Sequence, residues 1–135
     1  MESRKTLAAE KNRQKTHNCA QAVFCTYCDL CGLEPKTAED VAGAFGLGMG
    51  NMEGTCGSLV GAGMVIGLVS KDRNLARNRM KQVMDRFKER NGATQCRQLK
   101  GVDTGKVICS CEDCVRNAVR TVEEACAGRS PPDTS

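Results

Sequence analysis

The chain has 135 residues, which is enough for one domain with its own hydrophobic core. It has no tryptophan, one tyrosine and three phenylalanines, and its net charge of +4 is spread along the chain rather than blocked. This pattern argues against nucleic-acid binding, which combines a basic face with stacking aromatic side chains. Residues 1–18 are polar, and the uncharged stretch 54–70 is short and rich in glycine, so we expect a cytoplasmic protein without a membrane span.

Ten cysteines are the most unusual feature of the composition. The cytosol keeps thiols reduced, and a chain of this length does not need disulfides to replace a missing core. A high cysteine content in that compartment favours metal binding or redox chemistry over a disulfide framework.

The predicted secondary structure is helical throughout, because helix-forming residues are plentiful and alternating β-branched runs are few. We expect an all-α, single-domain bundle of about five helices over residues 1–127 and a disordered tail over residues 128–135. The first helix is expected over residues 6–31, ended by Gly32, and a short helix is expected from a Thr37 cap to Phe45.

The second half of the chain continues in the same way after a glycine-rich loop over residues 46–54. Thr55 is expected to cap a helix over residues 56–69, and Ser70 a long amphipathic helix that ends at Asn91-Gly92. A helical turn over residues 96–99 and a loop over 101–105 follow. A last helix over residues 111–125 is capped by Ser110.

Glycines recur four residues apart inside the helix predicted over residues 56–69, as Gly57 with Gly61 and as Gly63 with Gly67. Each glycine in a helix costs up to about 1 kcal/mol relative to alanine. That cost is tolerated where another backbone or a bulky group lies very close. Close helix packing and a cofactor lying against this face both remain open.

Four cysteines lie in the first predicted helix, where Cys19 shares an apolar stripe with Val23 and therefore points inward. Cys25, Cys28 and Cys31 fall on an adjoining, more polar flank. Their spacing is typical of the start of a four-iron ferredoxin motif, but a straight helix separates Cys25 from Cys31 by about 9 Å. Ferredoxin-type ligands and plain surface or interface thiols therefore both remain possible.

Three other cysteines are predicted in the first turn of a helix, since Cys56 follows Thr55, Cys111 follows Ser110 and Cys96 follows Thr94 by two residues. The partial positive charge of a helix N-terminus lowers a cysteine pKa and favours the thiolate, which binds metals and attacks disulfides. With Cys19, these residues predict four sulfurs in one pocket. Converging helix ends would suit an anionic iron–sulfur cluster.

Several motifs together resemble the C_GCAxxG_C_C family of redox-active proteins. They are Asn18-Cys19-Ala20-Gln21, the loop over residues 46–50, Thr55-Cys56-Gly57-Ser58, Cys96-Arg97-Gln98-Leu99, and Cys111 followed by Val115. The likeness covers about residues 18–124, and it places the four family cysteines at Cys19, Cys56, Cys96 and Cys111. The central motif departs from the family pattern, because Thr55 replaces a glycine and Gly57-Ser58 replaces the alanine.

This resemblance implies redox activity. The family is similar to the helical domain of split-Soret cytochromes, which implies an iron–sulfur cluster and a homodimer. The chain has no Cys-x-x-Cys-His sequence and therefore lacks the attachment motif of c-type haem.

Cys109, Cys111 and Cys114 form a second short cluster, which Cys96 could complete as a zinc site. Alternatively, Cys109 and Cys114 are spare thiols that exchange with Cys111. We assign no role to His17, which is the single histidine of the sequence. Because the sequence has one histidine and no nucleophile-elbow motif, a hydrolase is not expected.

Three functional hypotheses follow from these cysteines. The first is electron transfer or redox sensing through an iron–sulfur cluster, with a redox partner protein that the sequence does not name. The second is a thiol–disulfide oxidoreductase or redox relay without a metal, in which Cys56 or Cys111 attacks. The third is a module that uses the wider set of cysteines for structural metal binding or metal storage.

Overall fold

The computed structural model describes residues 3–127, and the tail expected at 128–135 lies outside them. Within that range the chain forms eight α-helices: α1 (Lys5–Arg13), α2 (Cys19–Cys25), α3 (Cys28–Cys31), α4 (Pro35–Ala42), α5 (Gly57–Ser70), α6 (Arg73–Asn91), α7 (Cys96–Leu99) and α8 (Cys111–Ala127). An irregular π-type turn, Gly48–Met52, lies between α4 and α5. The all-α prediction is confirmed, although the helices are more numerous than five. Over residues 3–127 no helix is long and apolar enough to cross a membrane.

The prediction of one long first helix is wrong, because residues 6–31 form three shorter helices. Lys15 adopts a left-handed φ of 62°, which ends the first helical stretch. Asn18 then starts α2 with a capping box: its side chain accepts from the Gln21 backbone N–H, and the Gln21 side chain accepts from the Asn18 N–H. The predicted end is confirmed, since Gly32 stops α3 with a φ of 70°.

Three predicted helix starts are also wrong. α4 begins at Pro35 rather than after Thr37, because the fixed φ of proline suits the first helical position. Thr55 pairs with Gln95 in an antiparallel bridge, which leaves Cys56 as the N-cap of α5. At the start of α6, Asp72 rather than Ser70 accepts a hydrogen bond, from the Leu75 N–H.

One predicted helix start and one predicted helix end of the second half are confirmed. Ser110 caps α8, because its hydroxyl accepts a hydrogen bond from the Asp113 N–H at 3.1 Å. Gly92 ends α6 with a left-handed φ of 90°. These positions follow from local chemistry, so no tertiary contact is needed to fix them.

The core is built around α5, which packs against α2, α6 and α8, while α1 lies on α8 and α4 lies on α2. The largest fully buried side chains include Phe24 of α2, Leu59 and Ile66 of α5, and Phe87 of α6. With few aromatic residues, the interior is filled mainly by aliphatic side chains, alanine and cysteine.

Two of the α5 glycines let this helix touch α2 directly, which confirms close helix packing at this face. A Cβ atom at Gly61 would lie 2.6 Å from the Ala20 carbonyl oxygen, and one at Gly57 would lie 3.3 Å from the Cys19 Cβ atom. The first distance is too short for any side chain, so glycine is required at position 61, and the second would force the neighbouring atoms apart by a few tenths of an ångström. The contact brings the start of α5, with Cys56, against the start of α2, with Cys19.

Candidate functional site: a buried thiol centre

The four cysteines singled out by the sequence all lie where helices start. Cys19, Cys96 and Cys111 are the first residues of α2, α7 and α8, and Cys56 is the N-cap of α5. The start at Cys19 was missed by the sequence prediction, although the Asn18–Gln21 capping box was a readable signal for it. The partial positive charge of a helix start therefore lies near these sulfurs, most strongly at the longer helices α5 and α8, and at Cys56 the Ser58 backbone N–H also donates to the sulfur.

Two backbone segments bring Cys56 and Cys96 together. The Cys56 N–H donates to the Thr94 carbonyl at 2.8 Å, and the Cys96 N–H donates to the Gly54 carbonyl at 3.1 Å. Gly48 covers Cys96 from the π-type turn, where a Cβ atom would lie 2.5 Å from the Cys96 Cβ atom. The glycine-rich loop is thus shaped to pack against a cysteine.

Cys109 and Cys114 join the same site, so the structure brings two of the secondary candidates to the four principal ones. The Cys109 N–H donates to the Leu99 carbonyl at 3.3 Å, so the loop that follows α7 folds back onto the last residue of α7. Cys114 lies one turn into α8, and its Sγ is 3.8 Å from the Cys109 carbonyl oxygen. We call the resulting group the thiol centre: Cys19, Cys56, Cys96, Cys109, Cys111 and Cys114.

Within the thiol centre, Cys19 and Cys111 form a pair in which each thiol shifts the pKa of the other. The hydrogen bond from the Cys19 thiol lowers the pKa of Cys111 to about 5, and the positive charge of Lys100 acts in the same direction. The same hydrogen bond, together with burial, raises the pKa of Cys19. At neutral pH the pair therefore holds one proton, on Cys19, and one negative charge, on Cys111.

A second pair forms between Cys56 and Cys114. The hydrogen bond from Cys114, assisted by the Ser58 hydroxyl at 2.9 Å from the Cys56 Sγ, lowers the pKa of Cys56 to about 6. Hydrogen bonds to Cys109 and to Cys56 raise the pKa of Cys114, which stays protonated. Cys96 stands apart from these pairs, and burial raises its pKa.

Lys100 lies among these sulfurs, and the sequence analysis did not identify it. Its Nζ donates to the Cys109 carbonyl at 3.2 Å and lies 3.8 Å from the Cys114 Sγ. Burial alone would lower the lysine pKa, but the negative charge held among the neighbouring sulfurs, including that on Cys111, outweighs burial and raises the pKa instead. Lys100 is thus a permanent cation inside the thiol centre. Its spacing of four residues from Cys96 was the one signal in the sequence.

Access to the thiol centre differs from one sulfur to the next. Cys111 is half-buried, whereas the other five cysteines of the centre are buried, with Cys56 only 2% exposed and Cys114 fully enclosed. A reactant from solvent therefore meets Cys111 first.

Cys25, Cys28 and Cys31 are not part of the thiol centre. The prediction that they lie on a polar flank is wrong for Cys25 and Cys28, which are buried because the chain kinks between α2 and α3; Cys31 is half-buried. Burial raises the pKa of Cys25 to about 11 and also raises that of Cys31. We call residues 25–31 the cysteine turn.

The fit of a metal centre can be tested on these positions. Thiolates are suitable ligands for iron–sulfur clusters and for zinc. However, over residues 3–127 no three cysteine, histidine or acidic side chains are gathered at the spacing that one metal ion requires. In two pairs, Cys19–Cys111 and Cys56–Cys114, one thiol lowers the pKa of the other, and the Lys100 ammonium lies 3.8 Å from the Cys114 Sγ. The donor chemistry therefore suits a cluster, and the present side-chain spacing does not.

Fold and site together define a small, all-α, cysteine-rich domain whose thiols are gathered around a buried cation. A family profile described as "Putative redox-active protein (C_GCAxxG_C_C)" matches residues 17–125, and the chain belongs to that family. The family resemblance seen in the sequence motifs is thereby confirmed. No curated protein and no solved structure matches the chain.

Proposed function

We propose that the protein is a thiol–disulfide oxidoreductase or redox relay, in which Cys111 attacks a disulfide and Cys19 resolves the product. The observation that carries this proposal is the Cys19–Cys111 pair itself. Each of its two thiols shifts the pKa of the other, and Cys111 is the accessible member. Cys56, the other nucleophile suggested by the sequence, is too deeply buried to meet a substrate.

The environment of Cys111 suits a nucleophile. Its pKa of about 5 keeps the sulfur ionised at neutral pH through the hydrogen bond from Cys19 and the charge of Lys100. The start of α8, a helix of 17 residues, adds the favourable end of a helix dipole. Cys19 remains a thiol until the mixed disulfide forms, which separates the attacking group from the resolving group.

The reaction can be written with its atoms and electrons balanced. The Cys111 thiolate bonds to one sulfur of a substrate disulfide, whose S–S bond breaks, and the departing thiolate takes a proton from solvent. Cys19 then attacks the Cys111 sulfur, the second substrate sulfur leaves, and it receives the proton that Cys19 loses. Two electrons and two protons reach the substrate, and the protein keeps a Cys19–Cys111 disulfide.

The proposal is tested by reducing an aromatic disulfide whose released thiol absorbs visible light. Cys111→Ser should lose the reaction by at least about 100-fold, since the accessible thiolate is removed. The Cys19→Ser variant should stop at the mixed disulfide. The mass of the intact protein should then increase by one substrate thiol, attached to Cys111. The matched control is Cys126→Ser, a half-buried cysteine outside the thiol centre, which should retain the wild-type rate. A Cys111→Ser protein with the wild-type rate would overturn the proposal.

The four helix starts favour a second candidate, an iron–sulfur cluster for electron transfer or redox sensing. Cys19, Cys56, Cys96 and Cys111 would hold it, and when bound it would supply one-electron chemistry. Anaerobic reconstitution should then give brown protein with iron and sulfide, both lost in Cys96→Ser. Colourless protein without iron would exclude this candidate. Zinc in its place would support the structural zinc site on Cys96, Cys109, Cys111 and Cys114.

A further inference from the structure

The cysteine turn contains a feature that the thiol centre does not use. α3 consists of a single helical turn that begins at Cys28 and ends at Cys31. The backbone departs from helical geometry at Tyr27, with φ −110° and ψ 10°, and Gly32 ends the turn in the left-handed region. The turn is thus separated from α2 and α4, so a change within it need not disturb a longer helix.

The spacing of Cys28 and Cys31 suits a disulfide. Residues three apart on a helix lie on the same face, with Cα atoms about 5 Å apart. Disulfides usually join Cα atoms that are about 4.4 to 6.8 Å apart. Helical side chains also lean toward the N-terminus, so the Cys31 sulfur leans toward Cys28. The Cys28 thiol donates to the Cys25 carbonyl at 2.7 Å, and it would give up this bond on rotating toward Cys31.

Arg4 holds the same turn from outside. Its guanidinium donates to both carboxylate oxygens of Asp29, at 2.6 and 3.0 Å, and to the Thr26 carbonyl at 2.8 Å. It also lies 5.2 Å from the centre of the Tyr27 ring. Because Asp29 lies between the two cysteines, this clamp fixes the backbone that a disulfide would close. Less chain entropy is then lost when the bond forms.

We propose that Cys28 and Cys31 form a second redox site, which closes reversibly as a disulfide within the turn. Cys31 is half-buried and receives the oxidant, whereas Cys28 and Cys25 are buried. The oxidant is a disulfide: one of its sulfurs bonds to Cys31 and the other leaves as a thiol. Cys28 then displaces the first sulfur and forms the Cys28–Cys31 bond. Two electrons and two protons pass to the oxidant, and no residue of the thiol centre takes part.

The test uses full-length protein in glutathione buffers of increasing oxidation, with free thiols then blocked by an alkylating reagent. Chymotrypsin cleaves after Phe24, Tyr27, Leu30 and Leu33, so each cysteine of the turn falls on a separate peptide, 25–27, 28–30 or 31–33. The expected product is peptide 28–30 joined to peptide 31–33. It should form at the same glutathione ratio in the wild type and in Cys111→Ser, which separates this site from the thiol centre.

Two variants make the result decisive. The first variant, Cys31→Ser, changes a partly exposed side chain. In this variant Cys28 should remain a free thiol, and therefore be alkylated, at every glutathione ratio. Cys25→Ser should leave the joined peptides unchanged. The proposal is overturned if peptide 28–30 joins peptide 25–27 instead, or if Cys28 and Cys31 are only alkylated or glutathionylated one by one. Circular dichroism of both variants verifies that the helices are retained.

Discussion

The thiol centre contains six cysteines and the cysteine turn contains three, and the two regions give their sulfurs opposite chemistry. In the thiol centre, hydrogen bonds and the Lys100 ammonium lower the pKa of Cys111 to about 5. In the cysteine turn, burial dominates and raises the pKa of Cys25 to about 11. Density of cysteines along the chain therefore does not make a thiol reactive. A thiol becomes reactive when a hydrogen-bond donor and a positive charge lie close to its sulfur and lower its pKa.

The two regions also differ in how they are built. The thiol centre depends on tertiary packing, because its cysteines come from α2, α5, α7, α8 and the loop before α8. The cysteine turn is contained in seven consecutive residues, 25–31. A perturbation of packing should therefore damage the first region much more than the second, and the following substitutions test this.

The largest effect on stability is expected from Gly48→Ala. The new Cβ atom would lie 2.5 Å from the Cys96 Cβ atom, and residue 48 has a left-handed φ of 56°. Overlap in a packed interior and backbone strain together should cost about 2–4 kcal/mol. Urea denaturation followed by far-ultraviolet circular dichroism measures this cost.

The matched control is Gly32→Ala in the cysteine turn. This residue has a φ of 70°, but an added Cβ atom would meet nothing within 4 Å. The free energy of unfolding should then fall only by the backbone strain of a left-handed alanine, about 1 kcal/mol. Equal costs for the two variants would contradict the view that the loop over residues 46–54 is packed onto the thiol centre.

A second comparison uses the pH dependence of alkylation. The Cys111 rate should rise with pH through a midpoint near 5 and then stay constant, because the thiolate is fully formed above its pKa. The Cys31 rate should still rise above pH 8.5, because burial raises its pKa. At pH 5.5 the ratio of the two rates should be about tenfold or more, after allowing for the lower nucleophilicity of an acidic thiol. Peptide mass spectrometry of timed samples measures both rates.

Lys100 supplies the control for this profile. Lys100→Gln removes the cation beside Cys111, so the midpoint of the Cys111 profile should move upward, while Lys100→Arg should largely retain it. The Cys31 profile should be the same in both variants. If Lys100→Gln leaves the Cys111 midpoint in place, the electrostatic account of the thiol centre is wrong.

The sequence allowed much of the thiol centre to be predicted, because helix starts are encoded locally. Ser110 before Cys111 is a capping residue whose effect needs only its nearest neighbours. The helix at Cys19 was equally local, and the Asn18–Gln21 capping box was the signal that the long-helix prediction overlooked. The four cysteines named from the sequence thus all fall at helix starts.

Other features could not be predicted because their cause lies far along the chain. Thr55 has the chemistry of a cap, but its backbone pairs with Gln95, forty residues later. Lys100 enters the site only because the following loop returns to Leu99 and places Cys109 and α8 beside it. No window of neighbouring residues contains that information, so a tertiary contact had to reveal it.

The smallest expected effect concerns the clamp on the cysteine turn. Arg4→Ala removes a partly exposed ion pair, in which Arg4 is 21% and Asp29 65% exposed, and a cation–π contact with Tyr27. Solvent screening limits the loss to about 1 kcal/mol. The loosened turn should expose Cys31 and raise its alkylation rate several-fold, with no change at Cys111. The matched control is Lys36→Ala, which removes an exposed ion pair with Asp40 and should change neither stability nor alkylation measurably. A rate at Cys31 that is the same in both variants would show that Arg4 does not hold the turn, and that the turn keeps its shape through its own backbone hydrogen bonds.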